Sequence, residues 1–246
     1  MDVETARRLL DLNKQFYQTF GREFSATRGR LQPGVLRVLD GLAGDESILD
    51  LGCGNGVLAL ELARRGFSGS YIGLDFILPL LAGVNDLSGG YSFFQVDLTD
   101  DWEKEKSKKG EGTRRLLPSD FSLITSFATL HHIPSQEMRL SILGKIRHLL
   151  HPRGQFVHSE WQFLNSEKLR VRIQPWSDAG LSEADIDPGD YLLDWRFGGR
   201  GLRYVHYFTE MELEALALAS RFQIRETFRS DGENNQLGLY QVWEVV

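Results

Sequence analysis

The chain is poor in cysteine, in proline and in long apolar runs. Its single cysteine, Cys53, rules out an internal disulfide and any cysteine-rich metal centre, and a place between two glycines suits a small packed side chain better than a nucleophile. No metal ligand set is expected. No apolar run approaches the ~18 residues needed to cross a bilayer, so no membrane partner is expected. The start, Met1-Asp2-Val3-Glu4, is acidic where a secretion signal needs a basic and then an apolar region, which makes the expected location cytoplasmic. With 246 residues, 41% hydrophobic and 25% charged, no internal repeat and no long linker, the chain reads as one domain carrying an insertion.

A net charge of −6 disfavours a protein that coats itself in nucleic acid, yet the charge is uneven: −4 over residues 1–100, +5 over 101–175 and −7 over 176–246. The basic middle contains Lys104, Lys106, Lys108, Lys109, Arg114 and Arg115. A solvated loop accounts for them, and so does a surface that contacts phosphates.

Ser47 to Leu51 is an apolar run broken by one acid, and glycines at 52, 54 and 56 follow before Val57 to about Arg65 resumes a helical pattern. This strand, turn and helix form the ligand-binding corner of a doubly wound sheet. A dinucleotide fingerprint would place its third glycine at 57, where the chain has Val57. Asp50, two residues before the first glycine, is badly placed for a pyrophosphate and well placed for a cation. The D-x-G-x-G-x-G of Asp50, Gly52, Gly54 and Gly56 resembles motif I of the class I S-adenosylmethionine-dependent methyltransferases. That resemblance implies an α/β, Rossmann-like, seven-stranded, mostly parallel sheet with a C-terminal antiparallel hairpin, and S-adenosylmethionine as cofactor.

Ser70 to Asp75 is the next strand, with Asp75 placed to accept hydrogen bonds from ribose hydroxyls or to cap a helix. Tyr91 to Val96 ends at Asp97, which in the methyltransferase pattern approaches the adenine amino group. The same pattern adds Phe76, Leu98 and Phe127 to the cofactor contacts. Residues 3–20 form an amphipathic helix ended by Gly21, and a second helix follows around Val35–Leu39, making residues 1–44 a lid. Asp100 to Ser119 reads as a surface insertion. Phe121–Phe127 is the fourth strand, Ser135 caps a helix to about Leu150, and Gln155–Trp161 is the fifth strand. Residues 165–207 show no clean period and are expected to be an irregular, substrate-recognising cover. Thr209 caps a helix, and 222–228 and 239–246 close the sheet.

Methyl transfer from a sulfonium needs mainly an oriented nucleophile. His131 and His132 are candidates to position or deprotonate it, and an adjacent pair at a strand end is expected to send one ring inward. Arg28, Arg203, Tyr204 and His206, from the two covering segments, would together suit an anionic acceptor. Phe24-Ser25-Ala26-Thr27-Arg28 with Pro33-Gly34-Val35, the pair His131-His132, Pro175-Trp176 and Arg203-Tyr204-Val205-His206 resemble the tRNA wobble-uridine carboxymethyl methyltransferases. The resemblance implies active-site roles for Arg28 and one histidine of the pair, tRNA as a partner and a small activating protein. Val57-Leu58 and the 100–119 insertion depart from that pattern. A small carboxylate or phenol is the alternative acceptor, and a cofactor-binding module without turnover is the alternative class.

Overall fold

Strands buried on both faces need helices on both sides, and the chain supplies them in alternation. The computed structural model describes residues 1–27, 29–77, 84, 87, 89–102, 104–106, 113–115, 117 and 119–246. Its helices are α1 (Val3–Ala26), α2 (Pro33–Asp40), α3 (Val57–Arg64), α4 (Gln136–Leu149), α5 (Glu167–Arg170) and α6 (Glu210–Ala219). The strands are β1 (Ser47–Leu51), β2 (Ser70–Asp75), β3 (Tyr91–Gln95), β4 (Lys104–Lys106), β5 (Thr113–Arg115) and β6 (Phe121–Phe127). After them come β7 (Leu150–Trp161), β8 (Ile173–Gln174), β9 (Asp190–Trp195), β10 (Gly201–His206), β11 (Phe222–Ser230) and β12 (Gly238–Val245).

The main sheet has seven strands in the order β3-β2-β1-β6-β7-β12-β11. Neighbours from β3 to β7 pair in parallel, and β12 is antiparallel to both β7 and β11. The order reverses between β1 and β6, so their carboxyl ends diverge and leave a crevice. On one face Leu49, Ile124 and Phe156 pack under Ile142 and Ile146 of α4 and Leu213 of α6. On the other, Ile48, Tyr71 and Leu123 pack under Val35 and Leu39 of α2 and Leu58 and Leu62 of α3. The capping signals act as read: Ser135 Oγ accepts the Met138 amide proton at 3.3 Å, and Thr209 Oγ1 that of Glu212 at 3.2 Å.

Three elements depart from the sequence reading. Helix α1 runs through Gly21 to Ala26. A mid-helix glycine costs about 1 kcal/mol, which is offset where Phe16 and Phe20 pack so closely over Gly201 that a Cβ there would lie 2.6 Å from the Phe20 ring. Residues 165–207 contain a second sheet, β10-β9-β8, packed against α1. Leu192 and Tyr204 face Leu9 and Trp176 on one side of it, while Leu193 and Val205 face Phe163 on the other. Burial of both faces erases the alternation that marks a strand. Finally, the 100–119 segment contains the antiparallel pair β4–β5, and Trp102 and Leu117 at its two ends are buried in the main core.

Among the described residues no helix is long and apolar enough to cross a membrane. Helix α2 meets β12 at Gly34, where an added Cβ would lie 2.3 Å from the Tyr240 ring. Gly34→Ala is therefore expected to lower stability by about 1–3 kcal/mol through overpacking. Urea unfolding measures this, and an unchanged midpoint would contradict that packing.

Candidate active site

Above the carboxyl ends of β1, β2, β6 and β7 lies a cavity of about 530 Å³, closed by Asn13, Lys14 and Tyr17 of α1 and by Arg203 of β10. Its floor is the glycine turn. The backbone is left-handed at Gly52 (φ 76°) and Gly54 (φ 57°), and a Cβ on Gly52 would lie 2.2 Å from Thr129 Oγ1, so only glycine fits there. Gly56, also left-handed, turns the chain into α3, and the wall on either side of it is formed by Asn55 and Val57.

Asp50 and Asp75 reach this floor from adjacent strands. Asp50 is buried and accepts hydrogen bonds from the Tyr71 hydroxyl at 2.6 Å and from Thr125 Oγ1 at 2.7 Å. Burial pushes its carboxyl up to about 6 against the pull of those two donors. Asp75 accepts the amide protons of Gly54 at 2.9 Å and Ile77 at 3.0 Å, and burial raises its carboxyl against them. Phe76, Asp97, Leu98 and Phe127 line the same cavity. Burial raises Asp97, but the Lys14 ammonium at 2.7 Å and two hydrogen bonds from Thr99 outweigh it and hold the carboxyl below its usual range.

The rest of its wall is assembled from distant segments. His131 and His132 lie in a short 3₁₀ turn, Leu130–His132, and both line the cavity, with ring centroids 4.4 Å apart. The expectation that only one ring faces inward holds for an extended strand and fails here, because a 3₁₀ turn advances about 120° per residue. His132 Nδ1 lies 3.3 Å from the Tyr204 carbonyl, which can only accept, so this nitrogen carries the proton and Nε2 accepts from the Tyr17 hydroxyl at 2.8 Å. His131 Nδ1 meets Glu160 at 3.1 Å. The Arg203 guanidinium, buried, lies 4.9 Å from the Trp161 ring centroid and 5.6 Å from that of Phe16.

Tyr204 and His206 are not in the cavity. Successive residues of β10 face opposite sides, so a strand that presents Arg203 inward sends its neighbours Tyr204 and His206 the other way. There the Tyr204 hydroxyl donates to Asp190 at 2.7 Å, and His206 spans Asp190 at 2.6 Å and Glu212 at 2.8 Å. Arg28 lies outside the described residues. Sequence reasoning missed Tyr17, counted only as part of an apolar stripe, and Glu160, an acid within a buried strand. An acid at the end of a strand, two residues from His158, was the available signal for Glu160. Among the described residues no group of three His, Cys, Asp or Glu side chains could hold a metal ion.

A family model described as a methyltransferase domain matches residues 23–227. The chain is a methyltransferase of that family. Ubiquinone biosynthesis O-methyltransferases resemble this methyltransferase over part of their length: the Pseudomonas aeruginosa protein is 28% identical over 115 residues, 47% of this chain and 44% of the relative. The Klebsiella pneumoniae protein is 31% identical over 116 residues, 46% and 42% of the two chains. The chain thus matches less than half the length of these curated relatives. Among solved structures, a SAM-dependent methyltransferase from Methanosarcina mazei superposes with a TM-score of 0.61 at 22% identity, over 88% of this chain and 98% of that one. The DhpI–SAM–HEP complex gives 0.65 at 17%, over 96% and 97%.

The fold is therefore that of the SAM-dependent methyltransferases, enzymes whose methyl donor is S-adenosylmethionine. The glycine floor that a Cβ would obstruct, and the buried carboxylates Asp50 and Asp75 beside it, fit a ligand with a sulfonium, an ammonium and a ribose. When bound, that ligand supplies an electrophilic methyl carbon; Asp75 would take the ribose, Asp50 would offset the positive charge and Asp97 would lie by the adenine. Asp75→Ala is expected to weaken cofactor binding at least about tenfold, since hydrogen bonds to a charged group contribute about 1.5–3 kcal/mol. Calorimetry tests this, and equal affinity would remove the ribose role. A cation binds the ionised form of Asp50 better, so affinity should rise as pH rises through about 6. The dissociation constant at pH 5 is expected to be about tenfold weaker than at pH 7.5, and Asp50→Asn should abolish that dependence.

Proposed function

We propose that this methyltransferase esterifies a carboxylate, and that the acceptor is the carboxymethyl group of a modified wobble uridine in tRNA. The observation that carries the reading is Arg203, a buried cation set in an aromatic frame on the cavity that Asp50 and Asp75 also line. A planar guanidinium is the side chain best matched to a carboxylate. An ionised carboxylate is already a nucleophile, so the protein's task is to hold one oxygen in line with the methyl carbon and to exclude water. The pairing of Tyr17 with His132 holds α1 over that space. The segment resemblances through Phe24–Arg28, His131-His132 and Arg203–His206 support tRNA as the source of the carboxylate, and a small activating protein belongs to the same reading. The curated relatives, named as O-methyltransferases, support oxygen as the atom methylated.

A phenolic acceptor is favoured by one feature, the His132 Nε2 lone pair held toward the Tyr17 hydroxyl, which is the form a general base requires. Chemistry separates the two. Incubation with labelled S-adenosylmethionine and total tRNA in a cell extract is expected to give ribonuclease-sensitive label that mild alkali releases as methanol, because an ester saponifies and an aryl ether does not. Alkali-stable label on a small molecule would replace the carboxylate reading with the phenolic one. Arg203→Met should lower kcat/KM by about 10–100-fold, matching a lost buried charge-assisted hydrogen bond. His132→Ala should cost less than about tenfold, whereas loss of a general base would cost about 10²–10⁴.

A further inference from the structure

At the end of β7 the backbone N–H of Trp161 points at His131 Nδ1, 3.3 Å away. A backbone amide is always a donor, so this ring nitrogen presents its lone pair and the ring proton is on Nε2. The same Nδ1 lies 3.1 Å from Oε2 of Glu160, whose side chain is fully buried. A carboxylate oxygen and a bare ring nitrogen repel at that distance unless a proton lies between them, so Glu160 carries it. Its other oxygen, Oε1, lies 3.0 Å from Nδ1 of His158. His158 is enclosed by the rings of Phe156, at 5.0 Å, and Trp243, at 4.7 Å. The carbonyl oxygen of a carboxylic acid accepts, and His158 therefore donates from Nδ1. One arrangement of protons leaves no two lone pairs facing each other: His158 donates to Glu160 and Glu160 to His131, whose Nδ1 lone pair the Trp161 amide and the Glu160 hydroxyl share.

Burial favours the neutral form of both Glu160 and His158. It pushes the Glu160 carboxyl well above its usual range, though Arg139 and the His131 backbone amide pull it down, and it holds His158 down to about 3.

We infer that Glu160 is a positioning residue that, as a neutral acid, fixes His131 in the Nε2–H tautomer and makes it a hydrogen-bond donor to the methyl acceptor. The adjacent ring has the opposite polarity, since His132 keeps its proton on Nδ1. Two histidines in one turn are thus a donor and an acceptor set by different partners. The tautomer stands independently of the acceptor's identity; the donor role toward a carboxylate oxygen rests on the reading given above.

Imidazole nitrogen–proton correlation spectra of the full chain, with His131 identified by its loss in His131→Gln, test the tautomer directly. The expected result is a proton on Nε2 and a bare Nδ1 between pH 6 and 8, unchanged in Glu160→Gln, whose amide N–H donates to Nδ1 while its carbonyl accepts from His158. Glu160→Leu removes both bonds and should lower kcat about 10–100-fold with cofactor affinity unchanged, as lost orienting partners do elsewhere. Glu160→Gln should restore most of that loss. An orienting carboxylate that is ionised behaves the other way, since amide replacement inverts the tautomer and costs about 10⁴-fold. A wild-type proton on Nδ1, or a folded Glu160→Gln variant as inactive as the leucine variant, would overturn the proposal. A retained Nε2–H tautomer with no esterified carboxylate product would overturn the acceptor reading alone.

Discussion

Everything at the crevice depends on keeping two carboxylates out of bulk water at the ends of neighbouring parallel strands. An unpaired buried carboxylate is costly, and the fold meets that cost with donors from different elements rather than with a cation. Tyr71 on β2 and Thr125 on β6 hold Asp50 from either side, and the register of β1 places Asp50 beside Gly73 and Thr125. The amide of Gly54 holds Asp75, which joins the turn after β1 to the tip of β2. The glycine turn is thus braced by the acid that it presents. No arginine or lysine neutralises either acid among the described ion pairs, which leaves their field directed into the cavity.

The rest of the cavity wall is braced by a second buried network. Arg139 of α4 donates to the Ile133 carbonyl at 2.9 Å and to the Tyr204 hydroxyl at 2.9 Å, and Tyr204 and His206 converge on Asp190. Asn13 of α1 donates to the carbonyls of His132 and Tyr204 and accepts the Tyr204 amide proton. The histidine turn, the covering helix and β10 are therefore locked to one another, and Arg203 is held by the anchored Tyr204 next to it. Two of the four side chains that the sequence offers as acceptor ligands, Tyr204 and His206, act instead on the rear face of the strand.

Those differences show what a sequence can carry. The ends of β1, β2 and β6 were legible as read, because each is an apolar run cut off by glycine or polar residues, and the chemistry at their tips lies in the next few residues of the chain. The covering segment was not, because burial on both faces of β9 and β10 removed the period, and because Gly21, a stop signal in isolation, is overridden by Phe16 and Phe20 packing on a glycine of β10. Tyr17, His132, Glu160 and Arg203 come from four separate stretches. Their proximity is a property of topology, and the face that each strand residue takes follows from a register that no local pattern states.

The charges across the cavity have a further consequence for turnover on the proposed acceptor. Carboxylates and a guanidinium line the one cavity, an arrangement that matches a sulfonium facing a carboxylate. Transfer of the methyl group consumes both reactant charges, giving a neutral thioether and a neutral ester. The electrostatic attraction that draws the reactants in is then absent from the products, while Asp50 and Arg203 favour fresh charged ligands over them. Tight capture and easy release need not compete in such a site. A neutral acceptor would lose half of that advantage, since a phenol enters without charge and the guanidinium would gain nothing on its arrival.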